Sequence, residues 1–218
     1  ILQVQGQRGE ILDRQGGGLA TSVVMDSVYA RPAQVLEPGK AAFRLARELN
    51  LPQEEVTAQL SSDSPFVWIK RQATPDQARA VRELELPGVR FTQEYRRIYP
   101  SQQLAAALLG FTGIDTQGLE GLEYAYDSYL RGREGWQVID QDALGRTLFS
   151  GEPGEPSWGG TVQLTVHPGI QYLVEQELQD ALRRYQAPSA LAIVLHSQTG
   201  EVLAMAHATV PRPTTMRA

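Results

Sequence analysis

The 218-residue chain has no cysteine, only two lysines (Lys40 and Lys70), one asparagine (Asn50) and three histidines. Without cysteine there is neither a disulfide nor a thiolate metal site, and cysteine usage leaves the redox compartment open. Two lysines and a net charge of −5 argue against sequence-independent nucleic-acid binding, which draws on clustered cations. No stretch reaches the roughly 18 to 20 apolar residues of a membrane span. A run such as Leu104–Leu109 is only a helix-sized piece of core. The first residues, ILQVQGQ, lack the basic region and apolar stretch of a signal peptide.

Signatures of catalysis are missing as well. No serine is followed at the third position by lysine, no S-x-N surrounds Asn50, and Gln198-Thr199-Gly200 has no lysine before its Thr-Gly. A G-x-S-x-G elbow is absent. His167, His196 and His207 do not show the H-x-x-x-H spacing of a helical metal site. The last two fall near opposite ends of a predicted hairpin and would not converge. Glu175 with Glu177, and Asp140 with Asp142, do not stand out from ordinary solvated carboxylates as a glycosidase pair. No catalytic residue, cofactor site or metal ligand is therefore assigned.

What is present is a globular composition, 42% hydrophobic, long enough for one large or two small domains. The organising stretch is Arg97–Gly135. Tyr99-Pro100 closes an extended segment, because a proline pushes the preceding residue out of the helical region. Ser101 is expected to cap a helix over 102–109. Gly110 and Gly113 bracket a turn that calls for positive φ, and Gly118 opens a second helix over 119–130. On it Leu119, Leu122, Tyr126 and Tyr129 or Leu130 have the spacing of a buried stripe, with Glu120 and Glu123 in a first turn that favours carboxylates.

Before this stretch, Arg14 to Gly18 reads as the turn of a hairpin returning through 19–30, with Asp13 bonding turn amides. Helices follow over 38–49 and 52–60, then a short strand over 66–70. Another helix starts at Thr74-Pro75 and ends by Gly88, and a charged strand covers 89–99. The charges of that strand, Arg90, Glu94, Arg96 and Arg97, read as a solvated face. After Gly135 the chain is β again, over 136–140 and 146–149, with a hairpin loop at 142–145. EPGEPSWGG, residues 152–160, is the best linker. Beyond it come a strand over 161–166, an amphipathic helix over 169–185, and a hairpin of 190–195 with 202–206. That hairpin is apolar enough to belong inside a larger sheet.

Three ordered blocks carry a family resemblance. RGEILDRQGGGLA at Arg8–Ala20 contains Arg8, Gly9, Asp13, Arg14 and Gly16 of an R-G-x-I-x-D-R-x-G-x-x-L-A pattern. The central stretch supplies Arg97, Tyr99 and Pro100 (R-x-Y-P), Gly110 and Gly113 (G-F-x-G), and Gly118, Glu120, Gly121 and Glu123 (G-L-E-G-x-E), followed by Y-D-x-x-L-x-G-x-x-G. The third block is Gly160–Ala206. Together they resemble the non-catalytic, membrane-proximal module of class B penicillin-binding proteins, with the opening of the transpeptidase domain. The middle of the chain is more similar to the division branch than to the elongation branch. His167 and His196 stand where the family more often has aspartate.

The resemblance implies an α+β fold. A dimerisation or pedestal domain, an elongated β pedestal with a small α+β head at about 31–130, would cover 1–151. A linker would cover 152–160, and an incomplete transpeptidase domain 161–218. It implies a role in septal peptidoglycan synthesis, with an amino-terminal membrane helix preceding Ile1 and the module on the extracytoplasmic, periplasmic face of the bacterial membrane. Expected partners are the membrane-embedded lipid II glycosyltransferase of the shape, elongation, division and sporulation class, other division proteins and the chain's own transpeptidase domain. A homodimer is also possible under this reading, whereas nucleic acid is not a partner. Because the motif joins the first and second blocks, Arg8 and Arg14 are expected to pair with Glu120 and Glu123. Two alternatives stand beside this reading, a freestanding scaffold of the wall machinery and an elongation-type protein. A labelled β-lactam incubated with the purified chain is predicted to leave it unmodified, and covalent labelling seen by mass spectrometry would refute the non-catalytic assignment.

Overall fold

The computed structural model describes residues 2–4, 6–133, 135–137, 139–141, 147–149 and 157–210. The expected loop at 142–145, residues 152–156 of the linker and the tail at 211–218 lie outside the described residues. The fold is mixed α+β and divides into two compact units: Val23–Arg96, and Ile1–Ser22 together with Arg97–Ala218. The head drawn from sequence at about 31–130 is thus divided differently. Residues 97–130 pack with the first 22, because ion pairs tie Arg97 and Glu123 to that segment.

In the unit Val23–Arg96, helix α1 (Pro38–Leu49) turns Ala42, Leu45 and Leu49 inward, and α2 (Gln53–Leu60) adds Val56 and Leu60. Asn50 ends α1 in the left-handed conformation that asparagine tolerates (φ 54°). Helix α3 (Pro75–Glu83) starts in a full capping box: Thr74 accepts from the Gln77 amide while the Gln77 side chain accepts from the Thr74 amide. These helices close over strands β3 (Gly18–Ala30) and β4 (Val67–Ala73), whose antiparallel ladder sets Tyr29 opposite Trp68. Val28, Ala30, Ile69 and Ala73 complete the core from the sheet.

Strand β5 (Val89–Ile98) also pairs with β3. Its charges are not uniformly solvated: Arg90 and Arg96 are exposed, but Glu94 is buried under the bidentate guanidinium of Arg71, and Arg97 is buried too. Strand alternation does not separate the two sets, since Arg90, Glu94 and Arg96 share one parity. Glu94 is buried by its bonds to Arg71 and Ser27, and Arg97 by its bonds to Glu123 and the Gly9 carbonyl.

In the other unit, β1 (Leu2–Val4) pairs with β6 (Gly135–Gln137), and β7 (Ile139–Gln141) with β8 (Thr147–Phe149). Strand β2 (Ile11–Leu12) lies between β3 and β9 (Val162–Gln163), antiparallel to the first and parallel to the second. Ile11, paired with both Ala20 and Val162, is fully buried. Asp13 holds the β2–β3 turn by accepting from the Gln15 and Gly17 amides at 2.7 and 2.9 Å. Helix α7 (Pro168–Tyr185) lays Leu178 and Leu182 on Ala206 and Ala208 of the hairpin β10 (Ser189–Leu195) and β11 (Val202–Thr209).

Two helices differ from the sequence reading. The one expected over 102–109 is a series of turns with a single helical turn, α4 (Ala106–Leu109), because Gln102 and Ala105 take left-handed φ of 49° and 57°. The one expected over 119–130 starts later and breaks at Tyr126 into α5 (Gly121–Ala125) and α6 (Asp127–Leu130). Its inward face matches the expected stripe in part: Leu130 is fully buried and Leu122 packs against the core, but Leu119, Tyr126 and Tyr129 are exposed and Glu123 is fully buried instead. Replacing the fully buried Leu45 by Ala is predicted to destabilise the unit Val23–Arg96 by about 2–5 kcal/mol, read as a lower urea midpoint at constant slope.

Candidate functional site: a buried ionic cluster

The motif residues converge on one carboxylate. Glu123, on α5, is 0% exposed, and its two oxygens accept from two different guanidiniums: Arg8 Nε at 2.6 Å and Arg97 Nε at 2.7 Å. Arg8, 1% exposed, spends its remaining donors on the Asp127 carboxylate (2.6 Å), the Thr116 carbonyl (3.1 Å) and the Glu123 carbonyl (2.7 Å). Arg97 Nη1 donates to the Gly9 carbonyl at 2.6 Å and to Ser22 Oγ at 3.3 Å. Burying an ion is expensive unless it is paired and hydrogen-bonded, and here two cations meet two anions.

Glycines let the backbone close around this cluster. A Cβ on Gly118 would lie 2.0 Å from the Glu123 carbonyl oxygen, and the Gly118 amide donates to Asp127 at 2.7 Å. Gly110 (φ 73°) and Gly121 (φ 58°) pack backbone to backbone, each in a conformation that side chains avoid. A Cβ on Gly9 would meet the Gly160 carbonyl at 2.0 Å. Gly113 lies in the loop closed by the Thr112–Gly118 bridge, and Gly16 in the β2–β3 turn. Pro100 is exposed, and the Tyr99 carbonyl before it accepts from the Gln102 amide.

The expected pairings form in part. Arg8 meets Glu123, but Glu120 is exposed at the residue before α5 and makes no cap bond, so it is not a partner of either arginine. Arg14 instead reaches Glu201 at 3.4 Å on the surface, a pair of little energetic weight. Asp127, the aspartate of the Y-D-x-x-L-x-G-x-x-G pattern, was given no pairing role from sequence. Its position four residues after Glu123, on the same helical side, was the available signal.

Burial raises the Asp127 carboxyl, but the Gly118 amide, the Arg8 bonds and the Arg131 charge outweigh it and leave the group below its ordinary value. Burial and the neighbouring Glu123 push the Tyr99 phenol up to about 12. Both shifts move their groups away from neutrality. Among the described residues no group of His, Asp and Glu is placed to hold a metal.

The family model described as the penicillin-binding protein dimerisation domain matches residues 3–164, the span that contains every member of this cluster. The chain belongs to the penicillin-binding protein dimerisation-domain family. It is 35% identical over 214 residues to the peptidoglycan D,D-transpeptidase FtsI of Escherichia coli K12, covering 95% of this chain and 36% of that protein. It is 34% identical over 209 residues to the stage V sporulation protein D of Bacillus subtilis, covering 94% of this chain and 32% of that protein. The chain therefore spans about a third of the length of the curated relatives it matches. A solved peptidoglycan synthetase from Bifidobacterium adolescentis is similar with a TM-score of 0.63 at 26% identity, over 94% of this chain and 43% of that one. Penicillin Binding Protein 2X from Streptococcus thermophilus shares the fold, with a TM-score of 0.66 at 24% identity over 94% of this chain and 35% of that one.

In this dimerisation domain, Glu123→Ala strands two buried guanidiniums and is predicted to cost about 3–5 kcal/mol. Glu120→Ala is predicted to stay within about 0.5 kcal/mol. The double variant Arg8→Ala/Glu123→Ala should lose less than the sum of the single losses by about 1 kcal/mol or more in denaturant titrations, and additivity would refute the direct pair. The pH profile has two edges. The lowered Asp127 contributes stability that is complete above its ordinary value of 3.8 and is lost as the pH falls through the depressed one. The raised Tyr99 contributes stability that is complete below pH 10.0 and is lost as the pH climbs toward about 12.

Proposed function

We propose that this chain is the non-catalytic, extracytoplasmic pedestal of a class B penicillin-binding protein of the division type, acting in septal peptidoglycan synthesis. The observation that carries the reading is the family match across 3–164 in a chain whose sequence holds no S-x-x-K, S-x-N or K-T/S-G. In this role the module holds a transpeptidase domain at a set position and contacts the lipid II glycosyltransferase and other division proteins. The buried cluster supports it physically, because it locks segments distant in sequence into one rigid body that can carry load between a partner and a catalytic domain. A membrane helix ahead of the module, supplied by the parent protein, would anchor it. Among the described residues no helix is long and apolar enough to cross a membrane.

Exposed motif residues with no structural duty are the natural contact points, and Glu120 is one of them. In the full-length parent, Glu120→Lys is predicted to weaken capture of the glycosyltransferase by about tenfold while leaving the unfolding midpoint unchanged, the scale of one interface residue. Unchanged capture and unchanged wall synthesis would count against this surface. A coding frame that continues beyond residue 218 into S-x-x-K, S-x-N and K-T/S-G would support the pedestal reading, and a stop codon there would favour a freestanding scaffold.

A further inference from the structure

Ala105 lies inside the matched module, residues 3–164, whereas α7 and the β10–β11 hairpin lie beyond it. A chain of hydrogen bonds runs between them. The Ala105 amide donates to Glu175 Oε1 at 2.8 Å, and the same oxygen accepts from Gln171 Nε2 at 2.7 Å. Gln171, fully buried, grips the backbone of β11 from both sides: Oε1 accepts from the Met205 amide and Nε2 donates to the Met205 carbonyl, each at 2.9 Å.

We propose that Gln171 and Glu175 are positioning residues, a polar latch that sets where the 101–109 loop rests on the segment following the dimerisation module. Two features make the latch, rather than packing, the holding element. The loop carries two non-glycine residues, Gln102 and Ala105, in left-handed backbone conformations that cost free energy and need an outside anchor. Between the loop and α7 lies a cavity of roughly 360 Å³, lined on the loop side by Ser101, Gln103, Leu104, Ala105, Ala106 and Ala107, so on this side the two are not closely packed. Ala105 itself is buried, so an amide left without Glu175 has no ready access to water. The same loop follows directly on Tyr99-Pro100, and Arg97 two residues earlier joins the buried cluster. The latch therefore ties to α7 a loop that follows directly on a member of that cluster.

The bearing of this latch on wall synthesis rests on the proposed function, but its test does not. Hydrogen exchange followed by mass spectrometry on the whole chain reads the loop directly. In Glu175→Ala, peptides covering 101–109 are expected to exchange at least about tenfold faster, with the unit Val23–Arg96 unchanged. In Glu175→Gln, whose amide oxygen can still accept from Ala105, exchange there should stay within about threefold of the parent chain. Loop exchange that is unaltered in Glu175→Ala would overturn the proposal, since packing would then suffice. A rise spread evenly through α7 and β10–β11 would also overturn it, because Glu175 would then be supporting its own helix. Partner capture can fail in the Glu120 test while this result stands, and the reverse is equally possible, so the two readings fall separately.

Discussion

A carboxylate shared between two guanidiniums and shut off from the solvent surface is the constraint from which the larger unit follows. Glu123 cannot be buried alone, and neither can Arg8 or Arg97. Each guanidinium then draws on further acceptors, the Asp127 carboxylate and the backbone carbonyls of Gly9, Thr116 and Glu123, with Arg97 Nη2 alone left without a partner among their described bonds. Those bonds fix the path of the chain around the cluster far more narrowly than apolar contacts would, because hydrogen bonds have direction and apolar contacts do not. Well-packed apolar replacements of the whole set could be as stable. They would not dictate which carbonyl meets which segment.

The glycines are a second consequence of the same constraint. With charges at the centre and short bonds to carbonyls, strands and loops approach to within a backbone's thickness. Gly9, Gly118 and the Gly110–Gly121 contact occupy the places where a methyl group would collide with a carbonyl or an amide. The motif spelled by arginines, glutamates and glycines is thus one physical object, an ionic core with the thin backbone that a directional core requires.

Local features were legible in the sequence, whereas of the long-range ones only the Arg8–Glu123 pair was expected, from the motif that joins the two blocks. Thr74-Pro75 announces a capped helix, Asp13 before a glycine-rich turn announces its own bonds, and the apolar spacing of α1 gives its buried face. Of the stripe Leu119, Leu122, Tyr126 and Tyr129 or Leu130, only Leu122 and Leu130 turn inward; beside them sits Glu123, whose burial is decided by Arg8, 115 residues away in sequence. The alanine-rich stretch at 104–107 has every local reason to be helical. Its first half is held in turns instead, with Ala105 left-handed and its amide on a carboxylate 70 residues further on, and only from Ala106 is it helical. Of two equivalent-looking glutamates in one motif, only the three-dimensional partner distinguishes the buried Glu123 from the exposed Glu120.

The span of the cluster also orders events at the ribosome. Arg8 emerges early, but its counter-charges Glu123 and Asp127 are made 115 and 119 residues later. Until then an arginine destined for a dry interior has only solvent or a chaperone for company, and β2 lacks both the ion pairs beside it and its parallel neighbour β9. Residues 23–96, which close on themselves, can fold meanwhile as a contiguous insert. The nascent module is thus a finished bead on an unfinished thread. A translational pause before Glu123, Asp127 and β9 have emerged would lengthen that stage.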